Sequence, residues 1–545
     1  MNFLRFLSTE SGIMGKRIGF ATLFSGVISG LMVTIILGAA SSATDPSKSF
    51  RNLLLFAVAL SSMMIAKRFS LRQATDLTED IVERLRLRVT DKIRRAELFY
   101  FEKIGAERFN NLLTTETQVI SATATMAINA AASTVMLVVA FGFVAFLSLP
   151  AFFLSLGAIG TAVLAYRISL STVDPLLRRT VEQENKFFSL LGHLLNGFSE
   201  IKINVRKNRD LYQGHLVPAA SELRSLKVET GHRFVTTTII THSAFYVLLA
   251  VIIFVLPKLG QIEPTVIIKI SAVVLFIFGP LAEVVGVLPF LAKASVSIDT
   301  IRQIEADLDK EVGSHPPIDL EHPPTPWEVD NIGVQNLEFS YETEDGSPGY
   351  ALGPLDVTFK QGETVFIKGG NGSGKSTFLK LFTGLYPAKS GHLTVDGEAV
   401  TPTQLQRFRE LFSIIFTDFH LFDRLYGVDA IDEDRLARLI HEMDLSEKTA
   451  FFEGRFSNLE LSTGQRKRLA LITVLTEDKP VLIFDEWAAD QDPSFRKHFY
   501  HDILPALKAE GKTIIAATHD DHYFHTADRV ITMDYGKFAE TESAK

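Results

Sequence analysis

A bundle of six membrane-spanning α-helices followed by an α/β domain is the fold class that this sequence predicts, and three observations predict it. Long apolar runs dominate the chain as far as about position 292, a proline-rich stretch interrupts it from Gly313 to Asp330, and strand-like and helix-like runs alternate beyond. The composition agrees: of 545 residues, 47% are hydrophobic, 42 are phenylalanine and only 22% are charged, an apolar balance that ordinary soluble chains do not carry. The net charge of −8 gives no sign of a nucleic-acid partner, and with no cysteine a disulfide framework, a thiolate metal site and a cysteine nucleophile are all excluded.

Six runs are candidates for spanning helices: Ile18–Ala40, Asn52–Ala66, Ala122–Leu147, Ala151–Tyr166, Phe234–Leu256 and Thr265–Leu291. The second and fourth fall below the roughly 20 residues that a span needs, so their flanks must extend them into the headgroups. The first follows Lys16 and Arg17 and lacks the short apolar core and small-residue cleavage site of a leader, so it reads as a retained span. Arg5, Lys16 and Arg17, the basic residues from Lys67 to Arg108 and those from Arg167 to Arg233 fall on one side of the set, which the positive-inside rule makes cytoplasmic.

The stretches Lys67–Ser121 and Arg167–Arg233 are too long for loops. Helical spacing in Leu77, Ile81, Leu85 and Val89 predicts that long helices carry the spans beyond the membrane. Gly26 and Gly30 in the first span and Ala127, Ala130, Ala131, Ala132 and Ser133 in the third let helix backbones approach closely. Gly279-Pro280 is expected to bend the sixth span. Glu283 follows that bend, about 27 Å along a helix counted from Thr265 and so near the cytoplasmic boundary, where it either lines a substrate cavity or is solvated at the interface.

The prolines of GSHPPIDLEHPPTPWEVD exclude helix and central strand, which sets the predicted domains at 1–312, a linker at 313–330, and 331–545. Beyond them, the runs Thr364–Lys368, Phe378–Tyr386, Leu411–Phe416, Arg466–Leu475, Val481–Asp485, Phe495–Leu507 and Thr513–Thr518 alternate in the manner of an α/β layer with a largely parallel core sheet. The strand-like run ending at Lys368 leads into GGNGSGKST, Gly369 to Thr377, and then a helix-like run, the setting of a phosphate-binding loop. Gly369, Gly372 and Gly374, with Asn371, Ser373 and Thr377 between and after them, turn backbone N–H groups onto the phosphates of a nucleoside triphosphate. Lys375 reaches the β/γ-phosphates, and the Ser376 hydroxyl is placed for Mg²⁺. A four-residue apolar run from Val481 ends in Asp485-Glu486, two carboxylates at the carboxyl end of a buried strand. Asp485 suits Mg²⁺, and Glu486 suits the base that polarises the attacking water. Leu461-Ser462-Thr463-Gly464-Gln465 opens a helix whose N-terminus and Ser462 suit phosphate, although the pattern alone also fits a plain helix cap.

Taken together, these residues resemble the ATP-binding cassette family, and the resemblance covers the whole chain. GGNGSGKST matches Walker A, LSTGQ the signature with Ser462, Gly464 and Gln465 as nucleotide contacts, VLIFDE Walker B, ADQD the D-loop, His519 the switch histidine, and Tyr341 in LEFSY the aromatic that stacks on adenine. Six spans followed by one cassette look like a half-size exporter, and FYFEKIG and LLNGFSEIK resemble its coupling segments. More narrowly, FTDFHLFD, DEWAADQDPSFR and THDDHYF look like the bacterial cyclic-peptide exporter subfamily, which includes exporters of lasso peptides and siderophore precursors. Three positions depart from the family pattern. The Q-loop glutamine is replaced by Thr417 followed by Asp418, a further candidate near Mg²⁺; Thr463 replaces a signature glycine; and the D-loop reads Ala489-Asp490-Gln491-Asp492.

The resemblance implies a homodimer in the bacterial inner membrane, with its N-terminus and cassette cytoplasmic, that exports a peptide-like cargo at the expense of ATP. In such a dimer the signature of one copy completes the ATP site of the other. The competing readings are a lipid or glycolipid flippase and a membrane-anchored ATPase that regulates a partner.

Overall fold

The computed structural model describes residues 2–41, 46–259, 263–312, 324–325, 327–342, 348–428 and 430–543. They fall into two compact units, Met1–Arg86 with Thr114–Ile301, and Leu87–Leu113 with Arg302–Lys545. The division is not a single cut at 312, because residues 87–113 and 302–312 belong with the second unit. Most of the proline-rich stretch lies outside the described residues.

The first unit is helical. All six apolar runs lie on helices, among them Asn2–Ser41, Pro46–Arg95, Thr117–Leu147, Leu149–Asn196, Val217–Ala250 and Pro264–Gly286. Among the described residues, four helices rather than the expected six are long and apolar enough to cross a membrane: Gly15–Ala39, Phe50–Arg95, Ala106–Leu147 and Pro264–Lys310. The fourth and fifth runs appear as the shorter apolar stretches Leu149–Thr161 and Ser243–Lys258.

Leu77, Ile81, Leu85 and Val89 are all buried, as their spacing predicts. A Cβ on Gly26 would lie 2.6 Å from the Ala132 carbonyl, and one on Gly30 2.7 Å from Val139 Cβ, so the first helix lies backbone against backbone on Thr117–Leu147. Val144, Ile252, Ile270, Val273 and Val274 fill the core, while Phe20, Phe146 and Ile268 face outward, as a lipid-facing surface requires. Pro280 stays inside its helix; the interruption falls at Val287, before Leu288–Val312 begins.

The second unit has two main sheets. The core sheet runs in the order Lys537–Ser543, Arg529–Asp534, Thr364–Lys368, Thr513–Ala517, Val481–Asp485 and Phe412–Ile415, with only the first pair antiparallel. Ala517 sits opposite both Asp485 and Ile367, so three parallel strands end flush and present Gly369, Glu486 and the residues after Ala517 along one edge. The alternation of runs did not predict the four-stranded antiparallel sheet of Pro348–Lys360, Asn331–Glu342, Ser390–Val395 and Glu398–Ala399.

Residues 87–113 pack within this unit. Arg88 pairs with Glu305 and Lys92 with Asp309, both at 2.7 Å. The short helix Leu98–Ile104, which carries the first predicted coupling segment, lays Phe99 against Phe339, Tyr341 and Tyr386 with centroids 5.4, 6.0 and 5.3 Å away.

Candidate nucleotide-hydrolysis site

The helix Lys375–Phe382 starts directly from Gly374, whose φ of 105° is open to glycine and strained for other residues. Its Cα also faces Leu352 and the Tyr350 hydroxyl, which leaves no room for a side chain. The Tyr350 hydroxyl donates to the Ser373 carbonyl at 2.7 Å and ties the loop to the antiparallel sheet. Asn371 and Gly372 stand exposed at the tip, and the buried Ser373 hydroxyl has no hydrogen-bond partner among the described residues.

Lys375 is almost fully buried. Its ammonium donates to the Gly369 and Gly370 carbonyls at 2.9 and 3.3 Å and lies 3.0 Å from His519 Nε2 and 3.5 Å from Glu486 Oε1. His519 Nε2 is also 3.1 Å from Glu486 Oε1. One ring nitrogen thus faces a donor and an acceptor. It accepts from Lys375 when unprotonated or donates to Glu486 when protonated, and cannot do both with one proton. Lys375, His519 and Glu486 therefore form one cluster at the flush strand ends.

Glu486 owes its position to its backbone. It turns out of the strand at φ 50° with its N–H held by the Ala517 carbonyl at 3.0 Å, which aims the carboxylate away from the sheet. Asp485, one residue earlier, is 1% exposed. Burial pushes its carboxyl above the ordinary aspartate range, opposed by the Ser376 and Thr417 hydroxyls beside it. Thr417 Oγ1 donates to Oδ2 at 3.1 Å, and Oδ1 is buried with no partner among the described residues. A buried carboxylate oxygen without a donor, beside a serine hydroxyl, fits a hard divalent cation such as Mg²⁺. Asp418 is exposed and makes no hydrogen bond or ion pair among the described residues.

Tyr341 places its hydroxyl 3.3 Å from Thr377 Oγ1 and joins the aromatic cluster with Phe339, Tyr386 and Phe99. Its place beside the loop suits a base-stacking surface.

The signature opens the helix Thr463–Glu477. Ser462 is the N-cap, and a capping box joins it to Gln465: the Ser462 N–H donates to Gln465 Oε1 at 3.1 Å, and the Gln465 N–H to Ser462 Oγ at 3.4 Å. The plain cap is therefore present, and Ser462 is exposed. Among the described residues, no hydrogen bond or ion pair joins Ser462, Gly464 or Gln465 to residues 369–377. Gly464 instead meets the D-loop. A Cβ there would lie 2.8 Å from the Asp490 carbonyl, and its own carbonyl accepts from Gln491 Nε2 at 3.0 Å.

Two residues that the motifs did not point to tie this helix to the D-loop. Lys467, 2% exposed, donates to the Glu486 carbonyl and pairs with Asp490, both at 2.7 Å. Arg468 bonds Gln491 at 2.9 Å and Asp492 at 2.5 Å, with its guanidinium over the Phe495 ring. The only signal for them in the sequence is the run of three cations, Arg466-Lys467-Arg468, directly ahead of the apolar stretch 469–475. Trp487 is buried, donates to the Lys467 carbonyl at 2.8 Å and packs against the Phe499 ring. Asp520, beside the switch histidine, is held by Arg496 at 3.2 Å and Tyr500 at 3.0 Å.

A phosphate-binding loop with a buried carboxylate and an acid–base cluster at its strand ends, on a chain with membrane-length helices, defines an ATP-hydrolysing membrane protein. Comparison with known proteins agrees. The ABC transporter transmembrane region pattern matches residues 17–208, and the ABC transporter pattern matches residues 352–489. ATP-binding protein SyrD of Pseudomonas syringae pv. syringae is 30% identical over 529 residues, covering 95% of this chain and 93% of its own. An ATP-dependent lipid A-core flippase of Aliivibrio fischeri is 30% identical over 226 residues, 38% of each chain. A bacterial Atm1-family ABC exporter solved with ATP bound superposes with a TM-score of 0.76 over 97% of this chain and 95% of its own, at 17% identity, a likeness of fold. The chain belongs to the ABC transporters. It is a multi-pass membrane protein of the half-transporter type that binds ATP and couples its hydrolysis to export.

Proposed function

We propose that the protein works as a homodimer in the bacterial inner membrane, with its cassettes cytoplasmic, and exports a peptide-like cargo such as a cyclic or lasso peptide or a siderophore precursor. The observation that carries the cargo class is the set of strings FTDFHLFD, DEWAADQDPSFR and THDDHYF, which resemble the cyclic-peptide exporter subfamily at three separate places around the site. The likeness to SyrD spans both halves of the chain, whereas that to the lipid A-core flippase covers only 38% of it, so the flippase match carries less weight for the whole protein. The flippase match is nevertheless the specific observation behind the second reading, a lipid substrate.

At the site, the loop amides from Gly369 to Thr377 and the Lys375 ammonium bind the phosphates, and Tyr341 stacks on the adenine. Glu486 takes the proton of the attacking water, and His519, within reach of both Lys375 and Glu486, orients that pair. Ser376 and Asp485 would hold Mg²⁺, which supplies charge neutralisation at the phosphates when bound. Ser462, Gly464 and Gln465 act on the partner copy's nucleotide, a role supported by their exposed helix N-terminus and the lack of bonds to their own loop.

The test uses inside-out vesicles of purified full-length protein. A cyclic peptide should stimulate ATPase activity and accumulate inside in an ATP-dependent way. Stimulation by lipopolysaccharide or phospholipid, with flipping of a labelled lipid and no peptide uptake, would transfer the assignment to the flippase reading.

A further inference from the structure

Four helices of the membrane unit meet around a cavity of about 60 Å³ whose lining is half polar and half apolar, with Leu71, Ile128 and Met136 on the apolar side. Asn2–Ser41 contributes Ser25 and Ser29, Pro46–Arg95 contributes Lys67 and Ser70, Thr117–Leu147 contributes Asn129, and Pro264–Gly286 contributes Glu283. The walls are fixed. Gly26 and Ala132, which also line the cavity, are the pair through which two of these helices touch backbone to backbone, and Ser70 is hydrogen-bonded to Thr22 at 2.8 Å in the buried interior. Glu283 reaches across to another helix, where its Oε2 accepts from the Ser133 hydroxyl.

Lys67 and Glu283 carry opposite charges into one cavity, yet form no ion pair with each other or with any other described residue. Charges within a membrane bundle are expensive unless paired or solvated, and those retained tend to mark substrate paths. Hydroxyls and an amide between the two charges supply hydrogen bonds to a polar ligand. The volume admits a small charged group and neither a whole cargo nor an acyl chain. By the Lys and Arg distribution the cavity opens toward the cytoplasmic boundary, the side from which an exporter loads.

We propose that this cavity receives a zwitterionic portion of the peptide-like cargo, with an ammonium or guanidinium group on Glu283 and a carboxylate on Lys67. The proposal deepens the cargo class argued above and rests on it. Lys67 and Glu283 are both exposed at this mouth, so cargo carrying both signs meets a partner for each, whereas a singly charged or neutral cargo leaves one of them unpaired.

The experiment measures equilibrium binding to full-length protein in nanodiscs, without nucleotide. The probes are a fluorescent cyclic peptide with one lysine and one glutamate and its analogues with norleucine, glutamine or both in their place. The parent should bind the doubly charged peptide about tenfold or more tighter than the neutral one. Glu283→Gln should remove the preference for lysine, and Lys67→Met that for glutamate. The exchange Glu283→Lys with Lys67→Glu should restore the doubly charged preference, because a zwitterion can bind reversed. Should the exchange variant fail to assemble, the two single variants still decide.

Equal affinity of the parent for all probes, with peptide transport intact, would overturn the cavity assignment and leave the cargo class standing. Failure to bind or transport any peptide would remove the cargo class and this proposal together. Phosphatidylethanolamine competing for the cavity, with no peptide effect, would assign it to a lipid headgroup and overturn the proposal.

Discussion

Glu486 stands one residue past Asp485, and that single step separates two chemistries. Asp485 stays in the strand, buried, with one oxygen bonded to Thr417 and the other without a donor, while Glu486 turns out toward Lys375 and His519. Glu486→Gln keeps the size and hydrogen bonds of the side chain and removes the charge that draws a proton from water. It is expected to lower ATP hydrolysis by about two orders of magnitude or more with ATP binding retained, as measured by turnover and by equilibrium binding. Lys375→Ala should weaken binding itself. Near-parental turnover of the Glu486→Gln protein would end the base assignment.

At the Q-loop the sequence directs attention to Asp418, whereas the contact with Asp485, the proposed metal carboxylate, comes from Thr417. Thr417→Val removes only the hydroxyl donor from Asp485 Oδ2, so it should change the Mg²⁺ concentration that half-activates hydrolysis. Asp418→Ala should reduce stimulation by cargo more than it changes that Mg²⁺ midpoint. A Mg²⁺ titration with and without peptide separates the two; if both variants match the parent, neither residue acts at this site. The threonine was legible as a departure from a motif. Its partner was not, because Thr417 and Asp485 are 68 residues apart and meet only when their strands lie side by side.

The short helix Leu98–Ile104 shows what an element adds to its residues. Its sequence, LFYFEKI, reads as a coupling segment only by resemblance, but in the fold it rests on the aromatic cluster that contains Tyr341. Arg409 holds Glu97 at 2.8 Å, Lys380 holds Glu102 at 2.8 Å, and the Tyr386 hydroxyl donates to Glu102 as well. Burial first, then the Glu102 and Tyr341 bonds, raise the Tyr386 phenol well above its ordinary value, so it remains a donor throughout the physiological range. Movement of this helix would therefore reach Tyr341, the proposed base-stacking residue, through direct ring contact. Phe99→Ala should weaken ATP affinity severalfold and reduce cargo stimulation, while leaving thermal unfolding within a few degrees of the parent, because Phe99 is only half-buried. Unchanged ATP affinity and stimulation would show that the contact transmits nothing.

Elements with a strong period or a complete motif were readable in advance, as with Leu77, Ile81, Leu85 and Val89 or the strand that ends at Asp485. The antiparallel sheet was not, since Gly353 and Pro354 interrupt one of its long strands and a bulged register blurs the alternation of another.

At the scale of the whole molecule, one chain carries one phosphate loop and one signature, and the bonds of the signature go to its own cap and to the D-loop. Lys467 and Arg468 grip Asp490, Gln491 and Asp492, so the signature helix and D-loop move as one piece. That piece presents Ser462 outward, in the way a surface meant for a second copy does. Mixing two defective chains tests this arrangement. Lys375→Ala spoils the phosphate loop and leaves the signature sound, and Ser462→Arg does the reverse. Each variant alone has no intact site, whether sites are closed within a chain or between chains. In a mixed dimer with shared sites, the sound loop of one chain meets the sound signature of the other, and one of the two sites recovers. Random pairing then returns at most about one quarter of the parental sites. Activity in the mixture above the sum of the two separate preparations is the expected result, and it should fall away when the chains are mixed after cross-linking each population. If the mixture never exceeds that sum although mixed dimers are verified by mass, each chain closes its own site and the signature serves only as a helix cap.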